Sequence, residues 1–397
     1  MTQKTIERRS WLPEGKQNLF QAVKAKRAEA EARGIKVLNL AIGQPTGPAF
    51  LVARMVAAQA VMSKEESMHE YQDNGSPGVP DFARKFVQLH VKRDLGGEDV
   101  TFLPIPGIKP MLGLIPLACG AAGRDINVGT MTRPGYPTPA DWCSYLGVET
   151  TQLLLTPENE FRFASEDITA ELLMLNYPHN PSGQVATREW WQEICASCQK
   201  NGIRIFNDAA YAMLAHTKEA CTLSEVAPDY PDLSWAEAFS ASKAIGNGTG
   251  WRVGAIAGSP DFVKDIATIK GNTDSGFVAP MAAGALAALQ DGMASVVSVR
   301  ETYARRISLL ISALKAQGME LAVQPGAGFF TLWKVPKIAF GEPVLDAEQF
   351  NFHMIEETGV TGVHFNPDYI RYAVCGDVEA MLPDIVRGFQ KAAVSYE

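Results

Sequence analysis

Between residues 100 and 260, short apolar runs alternate with longer stretches in which apolar positions recur every three or four residues. The first pattern is that of buried strands and the second that of amphipathic helices. Strands are expected over 101–105, 126–130, 172–175, 203–206, 236–239 and 253–257, and helices over 109–121, 187–200 and 261–270. Strands alternating with helices build an α/β unit around a mainly parallel sheet. Upstream, Val79, Phe82, Phe86 and Leu89 repeat at helical spacing, and a helical stretch over 17–33 stops at Gly34. Downstream, a long helical stretch over 293–317 precedes β-like runs at 329–335 and 369–374, with helices around 347–357 and 378–392. The expected fold is α/β, with a three-layer large domain over 46–290 and a smaller α+β domain made from 1–45 and 291–397.

Four of the apolar runs end abruptly in polar or turn residues: INVGT leads to MTRPGYP, LLML to NYPHNPSG, IRIF to NDAAY and AEAF to SASK. In open α/β sheets ligands bind beyond the carboxyl ends of the strands. The residues collected there are Tyr136, Asn180, Asp208, Tyr211, Ser240 and Lys243. They comprise one amine, one carboxylate, an amide, hydroxyls and aromatic rings. That set suits an aromatic, phosphorylated aldehyde.

Composition narrows the partners. The 397 residues carry a net charge of −8 and no Lys/Arg run longer than two. A basic stripe to neutralise phosphates along a duplex is therefore missing, and no nucleic-acid partner is expected. The first residues, MTQKTIERRSW, lack the apolar core of a secretory signal, and the longest near-apolar stretch, 111–123, is too short to span a bilayer. A cytoplasmic protein with no membrane partner is expected. Cys195 and Cys198 form a CxxC, but inside a helical pattern and without a second Cys/His pair, and the six histidines include no HExxH. No metal is expected.

The motifs, taken in order, resemble the class I/II aminotransferases, pyridoxal 5′-phosphate (PLP) enzymes with the aspartate aminotransferase fold. The resemblance runs from LNLAIGQP at 38–45 through YQDNGSPG, PGIKPML, PGYP, NYPHNPSG, FNDAAY, SASKAIGNGTGWRVG and NTDSG to YIRYAV at 369–374. It implies that Lys243 is the Schiff-base lysine and that Asp208 pairs with the pyridine nitrogen, making the ring an electron sink. Tyr211 and Asn180 would donate to the cofactor's phenolic oxygen, and Tyr136 would stack on its ring. Gly107, Ile108 and Lys109, at a strand-to-helix junction, would bind the phosphate together with Ser240, Ser242 and Arg252. Tyr71 would reach the phosphate of a neighbouring subunit, which implies a homodimer with shared active sites. Arg371 would hold the substrate α-carboxylate through two parallel bonds, with Gly43 letting the backbone approach. The implied reaction is ping-pong transfer of an amino group between an α-amino acid and a 2-oxo acid.

Read without the resemblance, several of these residues have plainer roles. Lys243 fits a surface loop, Asp208 a helix cap, NPSG a turn, Tyr71 a half-buried ring, Tyr136 a core ring, and Arg371 an outward arginine on an edge strand. Two departures from the family pattern stand out. Lys243 to Arg252 is nine residues, one more than in most members, through GNG at 246–248. The usual PGxxFG loop before the carboxylate arginine is also replaced by the shorter GVTGVHFNPDYIR. The same fold and cofactor contacts serve β-lyases, which is the alternative reading. A non-catalytic regulator on this fold is less favoured, because only 37 residues precede LNLAIGQP. A nicotinamide enzyme would need a GxGxxG that GNGTGW does not supply.

Overall fold

The computed structural model describes residues 19–97 and 99–397. Residues 1–18, which belong to the expected small-domain segment and include the start of the expected 17–33 helix, lie outside the described residues. A seven-stranded sheet dominates, in the spatial order Thr101–Ile105, Gly254–Gly258, Trp235–Ser240, Arg204–Asp208, Leu172–Leu175, Asn127–Thr130 and Glu149–Gln152. Only Gly254–Gly258 runs antiparallel to its neighbours; the pairs from Trp235–Ser240 outward to Glu149–Gln152 are parallel. Helices cover both faces, so the central strands are buried along their whole length and read as unbroken apolar runs instead of alternating ones.

The Arg188–Asn201 helix shows how local sequence fixes an element. Thr187 accepts a hydrogen bond from Trp190 N–H at its start, and Gly202, at φ +66°, closes its end in the left-handed region. Its inner face carries Trp190, Trp191, Ile194, Cys195 and Cys198. Both cysteines are fully buried, and burial pushes the Cys198 thiol up to about 12. This CxxC is packing.

The expected helix over 109–121 is two short ones, Ile108–Met111 and Leu114–Ala118. Pro116 has no N–H to return to residue 112, and Gly113 makes room for the Trp142 ring, which an added Cβ would meet at 2.6 Å. Several elements were not legible, among them three α-helices and one strand of the large sheet. Leu51–Val61 and Ala279–Gln290 are alanine-rich and lie against each other so closely that a Cβ on Gly284 would stand 2.4 Å from the Ala53 carbonyl. Such helices show little amphipathic period. Thr138–Leu146 is short, and Glu149–Gln152 is a largely exposed polar edge strand with no apolar signal.

A second core gathers Leu38 and Leu40 with Leu310, Leu314, Trp333, Phe350, Ile370, Tyr372 and Phe389. It is built on a three-stranded antiparallel sheet with Tyr369–Ala373 between Val363–Phe365 and Phe330–Lys334, while Leu38–Asn39 pairs in parallel with Val360–Thr361. The 24-residue helix Met293–Ala316 contributes Val296 to the large-sheet core and Tyr303, Ile307 and Leu310 to this one. No single described helix is long and apolar enough to cross a membrane.

Candidate active site

A cavity of about 230 Å³ opens at the carboxyl ends of the parallel strands, facing the three-stranded sheet. At one end the Thr101–Ile105 strand gives way to Gly107, at φ +82°, and the first turn of Ile108–Met111, whose leading N–H groups have no partner within the helix. Arg252 reaches the same place. A Cβ on Gly107 would stand 2.5 Å from its Nη2, so only glycine leaves the guanidinium this room. Arg252 Nη1 donates to the Thr249 carbonyl at 2.9 Å. Ser240 caps the Ala241–Ala244 turn by accepting from Ser242 N–H, and its hydroxyl donates to Ser242 Oγ at 2.9 Å. Hydroxyls, free N–H groups and a guanidinium converge here, which is an anion site.

Asp208 ends the Arg204–Asp208 strand with only 9% of its surface exposed. Burial pushes its carboxyl up to about 7, against the Ala210 N–H bonded to it and the charge of Lys243. It forms no ion pair among the described residues. A carboxylate buried this way calls for a cationic N–H from a ligand. Lys243, on the turn after the next strand, is half-buried. Burial lowers its ammonium to about 8, aided by Arg252 and Arg371 and opposed by Cys375 and Asp208. Tyr211 stands edge-on to Phe329 and Phe330, and its hydroxyl makes no hydrogen bond among the described residues.

Arg371 lies on the middle strand of the three-stranded sheet, not on an edge, and is 1% exposed. Its Nη1 donates to Asn180 Oδ1 at 2.8 Å and its Nη2 to the Ala41 carbonyl at 3.1 Å, and the guanidinium lies over the Phe330 ring. Nε has no partner, and no carboxylate among the described residues pairs with this cation. Burial lowers it to about 10, so it remains charged at neutral pH. A buried unpaired guanidinium fits an incoming carboxylate.

Gly43, Ile108, Lys109, Tyr136, Asn180, Asp208, Tyr211, Ser240, Ser242, Lys243, Arg252 and Arg371 thus line one cavity, with Gly107 directly behind Arg252. Tyr71 does not line it and is 77% exposed. Four further lining residues escaped the sequence reading: Phe20, Asn176, Ala210 and Thr249. Asn176 directly follows LLML and was open to the strand-end argument. Thr249 belongs to the lengthened stretch beside the anion site, and Phe20 carried no signal. The donor set fits a flat, phosphorylated aromatic aldehyde.

The family model for aminotransferase class I and II matches residues 35–382. The chain belongs to this family. This aminotransferase is 30% identical over 373 residues to the LL-diaminopimelate aminotransferase of Methanocaldococcus jannaschii, covering 90% of this chain and 86% of the relative. It is 28% identical over 386 residues to that of Syntrophobacter fumaroxidans, covering 93% and 95%. The fold matches the aspartate aminotransferase of Thermotoga maritima at 20% identity and a TM-score of 0.80, over 94% of this chain and 96% of that one. The Thermus thermophilus aspartate aminotransferase with maleate matches at 21% and 0.78, over 95% and 97%. The aminotransferase is PLP-dependent.

Proposed function

We propose that this aminotransferase exchanges amino groups between an α-amino acid bearing a second acidic group and a 2-oxo acid, in a homodimer with shared active sites. The observation that carries the α-amino acid is Arg371, a buried cation without an anion, in the same cavity as Lys243. Lys109 extends the reading to the side chain. Its backbone belongs to the proposed phosphate site; the residue lines the cavity, is exposed, and forms no ion pair among the described residues, although its charge acts on the Asp141 carboxyl. With Arg252 meeting the phosphate and Arg371 the α-carboxylate, Lys109 is the cation left for a distal acid. The diaminopimelate named for the relatives carries such a group.

PLP, when bound, supplies a carbonyl for the amine and an aromatic ring that draws electrons from the Cα–H bond. Arg252, Ser240, Ser242 and the Ile108–Lys109 turn would hold its phosphate, and Asp208 would pair with its ring nitrogen. Asn180 Oδ1 is committed to Arg371, which leaves the Asn180 amide N–H groups to donate towards the ring oxygen. Lys243, with an ammonium lowered to about 8, holds enough neutral amine near pH 7 to take a proton from the substrate Cα. Arg371 fixes that carbon in place.

Tyr71 supports the dimer by its exposure, as do Leu51, Met55 and Met62, which form an exposed apolar stripe on and beside the Leu51–Val61 helix, and Val278. The six cysteines are free, in keeping with a reducing cytoplasm. The test is a panel of amino donors, LL-diaminopimelate, glutamate, aspartate, alanine and lysine, against 2-oxoglutarate and pyruvate, followed by cofactor absorbance. Diacid donors should be preferred, and Lys109→Ala should erase the preference. Equal turnover of alanine or lysine would refute the distal-acid reading.

A further inference from the structure

Glu237 stands in the middle of the Trp235–Ser240 strand, fully buried, and forms no ion pair among the described residues. Its Oε1 accepts from Leu223 N–H at 3.1 Å and from Asn207 Nδ2 at 2.7 Å. Its Oε2 accepts from Ser224 N–H and Ser224 Oγ, both at 2.7 Å. Four donor groups from three residues converge on the carboxyl; they favour its ionised form, while burial outweighs them and pushes it up to about 7. An ionised carboxylate in a sheet interior is costly, and an apolar residue would fill the place at less expense.

Its partner Asn207 lies directly across the ladder. Asn207 Oδ1 accepts from Tyr177 N–H at 2.8 Å, and Nδ2 donates both to the Tyr177 carbonyl at 2.9 Å and to Glu237. Both amide protons are used, and Glu237 fixes which end of the amide faces which group. The Asn207 side chain therefore acts as a ladder partner for Tyr177 just beyond the end of the Leu172–Leu175 strand. From there the chain continues through Pro178 to Asn180 and Pro181, and the prolines have no N–H to anchor it. The remaining donors go to Asn207 from Tyr177, to Asn176 Oδ1 from Asn180, and to the Gln184 carbonyl from His179. Asp208, by contrast, is already held by the ladder opposite Ala238.

We infer that Glu237 and Asn207 are positioning residues for recognition of the substrate carboxylate: they fix the segment that brings Asn180 to Arg371. The inference rests on the reading of Arg371 as the α-carboxylate partner. Tyr177 carries the constraint into the segment, and Asn180 delivers it to Arg371 Nη1.

The test compares the PLP-loaded wild type with Glu237→Gln, Asn207→Ala and the reversed pair Asn207→Asp with Glu237→Gln. Half-reaction rates are measured with an α-amino acid and with the corresponding amine lacking the carboxylate, and PLP affinity by absorbance titration of the apoprotein. Glu237→Gln should raise KM for the amino acid about tenfold and change kcat less than about threefold. Rates with the amine and PLP affinity should each fall less than about threefold, since Asp208 keeps its place in the ladder and Asn180 is one of two proposed donors to the ring oxygen, although Asn176 in the same segment also donates to the Asp208 carbonyl. The reversed pair restores the contact across the ladder but sets a carboxylate oxygen against the Tyr177 carbonyl where the Asn207 amide donated, so it should lose at least as much as Glu237→Gln, and a wild-type KM in it would overturn the inference. Should the single variants fold poorly, Ser224→Ala removes one donor to Glu237 and should show a milder version of the same split. Equal losses with the amine, or PLP affinity falling in step, would show a general scaffold role and overturn the inference; so would an unchanged KM. Arg371→Lys serves as the control: if it too fails to separate amino acid from amine, the reading of Arg371 is what has failed.

Discussion

Gly107 and Arg252 are fitted to each other: a single added methyl at Gly107 would stand 2.5 Å from Arg252 Nη2, and the backbone there has φ +82°. The anion site proposed for the phosphate thus depends on a residue with no side chain. Gly107→Ala should displace the guanidinium and strain the turn. Charge-assisted hydrogen bonds contribute about 1.5–3 kcal/mol each, so PLP affinity should fall about 10- to 100-fold. Absorbance titration of the apoprotein measures this, and an unchanged dissociation constant would remove Gly107 from the site.

Lys243 yields a prediction about pH. Its reactive form is the neutral amine, and burial lowers its ammonium to about 8. The rate at which apoprotein bonds PLP covalently, trapped by borohydride, should therefore rise with pH through a midpoint near 8, well below the roughly 10.4 of a free lysine. Asp208→Asn removes a charge that favours the ammonium, so the midpoint should move lower still. A midpoint near 10 would contradict the burial of this amine.

Asp208 couples function to stability. Its carboxyl titrates at about 7 in the folded apoprotein and near 3.9 unfolded. Between those values the folded chain binds the extra proton, so this group's contribution to stability is lost as pH rises through the window. Asp208→Asn should raise the apoprotein Tm by about 2–5 °C at pH 8 and by progressively less towards pH 4. The same change should slow transamination by about 10²-fold or more, because the charge proposed to pair with the ring nitrogen is gone. Equal Tm values at pH 8 would mean that Asp208 is not buried as a charge.

Most of this site was legible because a parallel sheet places its chemistry at strand ends, and a buried strand that stops at a polar residue is visible in sequence. LLML before NYPHNPSG and IRIF before NDAAY announced Asn180 and Asp208 in this way. What escaped depends on distance in space. Phe20 reaches the cavity from the Leu19–Ala32 helix, and nothing in its sequence surroundings marks it. Glu237 was hidden inside an apolar run, where a carboxylate at a central-strand position makes sense only once Asn207 and Ser224 are seen around it. Arg371 was open to reading as an edge-strand residue because strand order is a property of pairing, not of local pattern.

The proposed dimer gives the last prediction. Tyr71 is exposed and does not line the cavity of its own chain, so a role at the phosphate requires a second chain. Each site would then take Lys243 from one subunit and Tyr71 from the other. Lys243→Ala chains and Tyr71→Ala chains, each crippled alone, should complement when mixed under conditions that exchange subunits. In a mixed dimer one site draws Lys243 and Tyr71 from two unaltered positions, while the other site carries both lesions. Activity should climb with the mixed-dimer fraction towards about half of the wild-type value per dimer, and PLP affinity should recover in the same proportion. If Tyr71 acts within its own chain, both sites of every mixed dimer stay broken and activity remains at the level of the parents. Absence of rescue despite subunit exchange, verified by mass-tagged chains, would take Tyr71 out of the shared site.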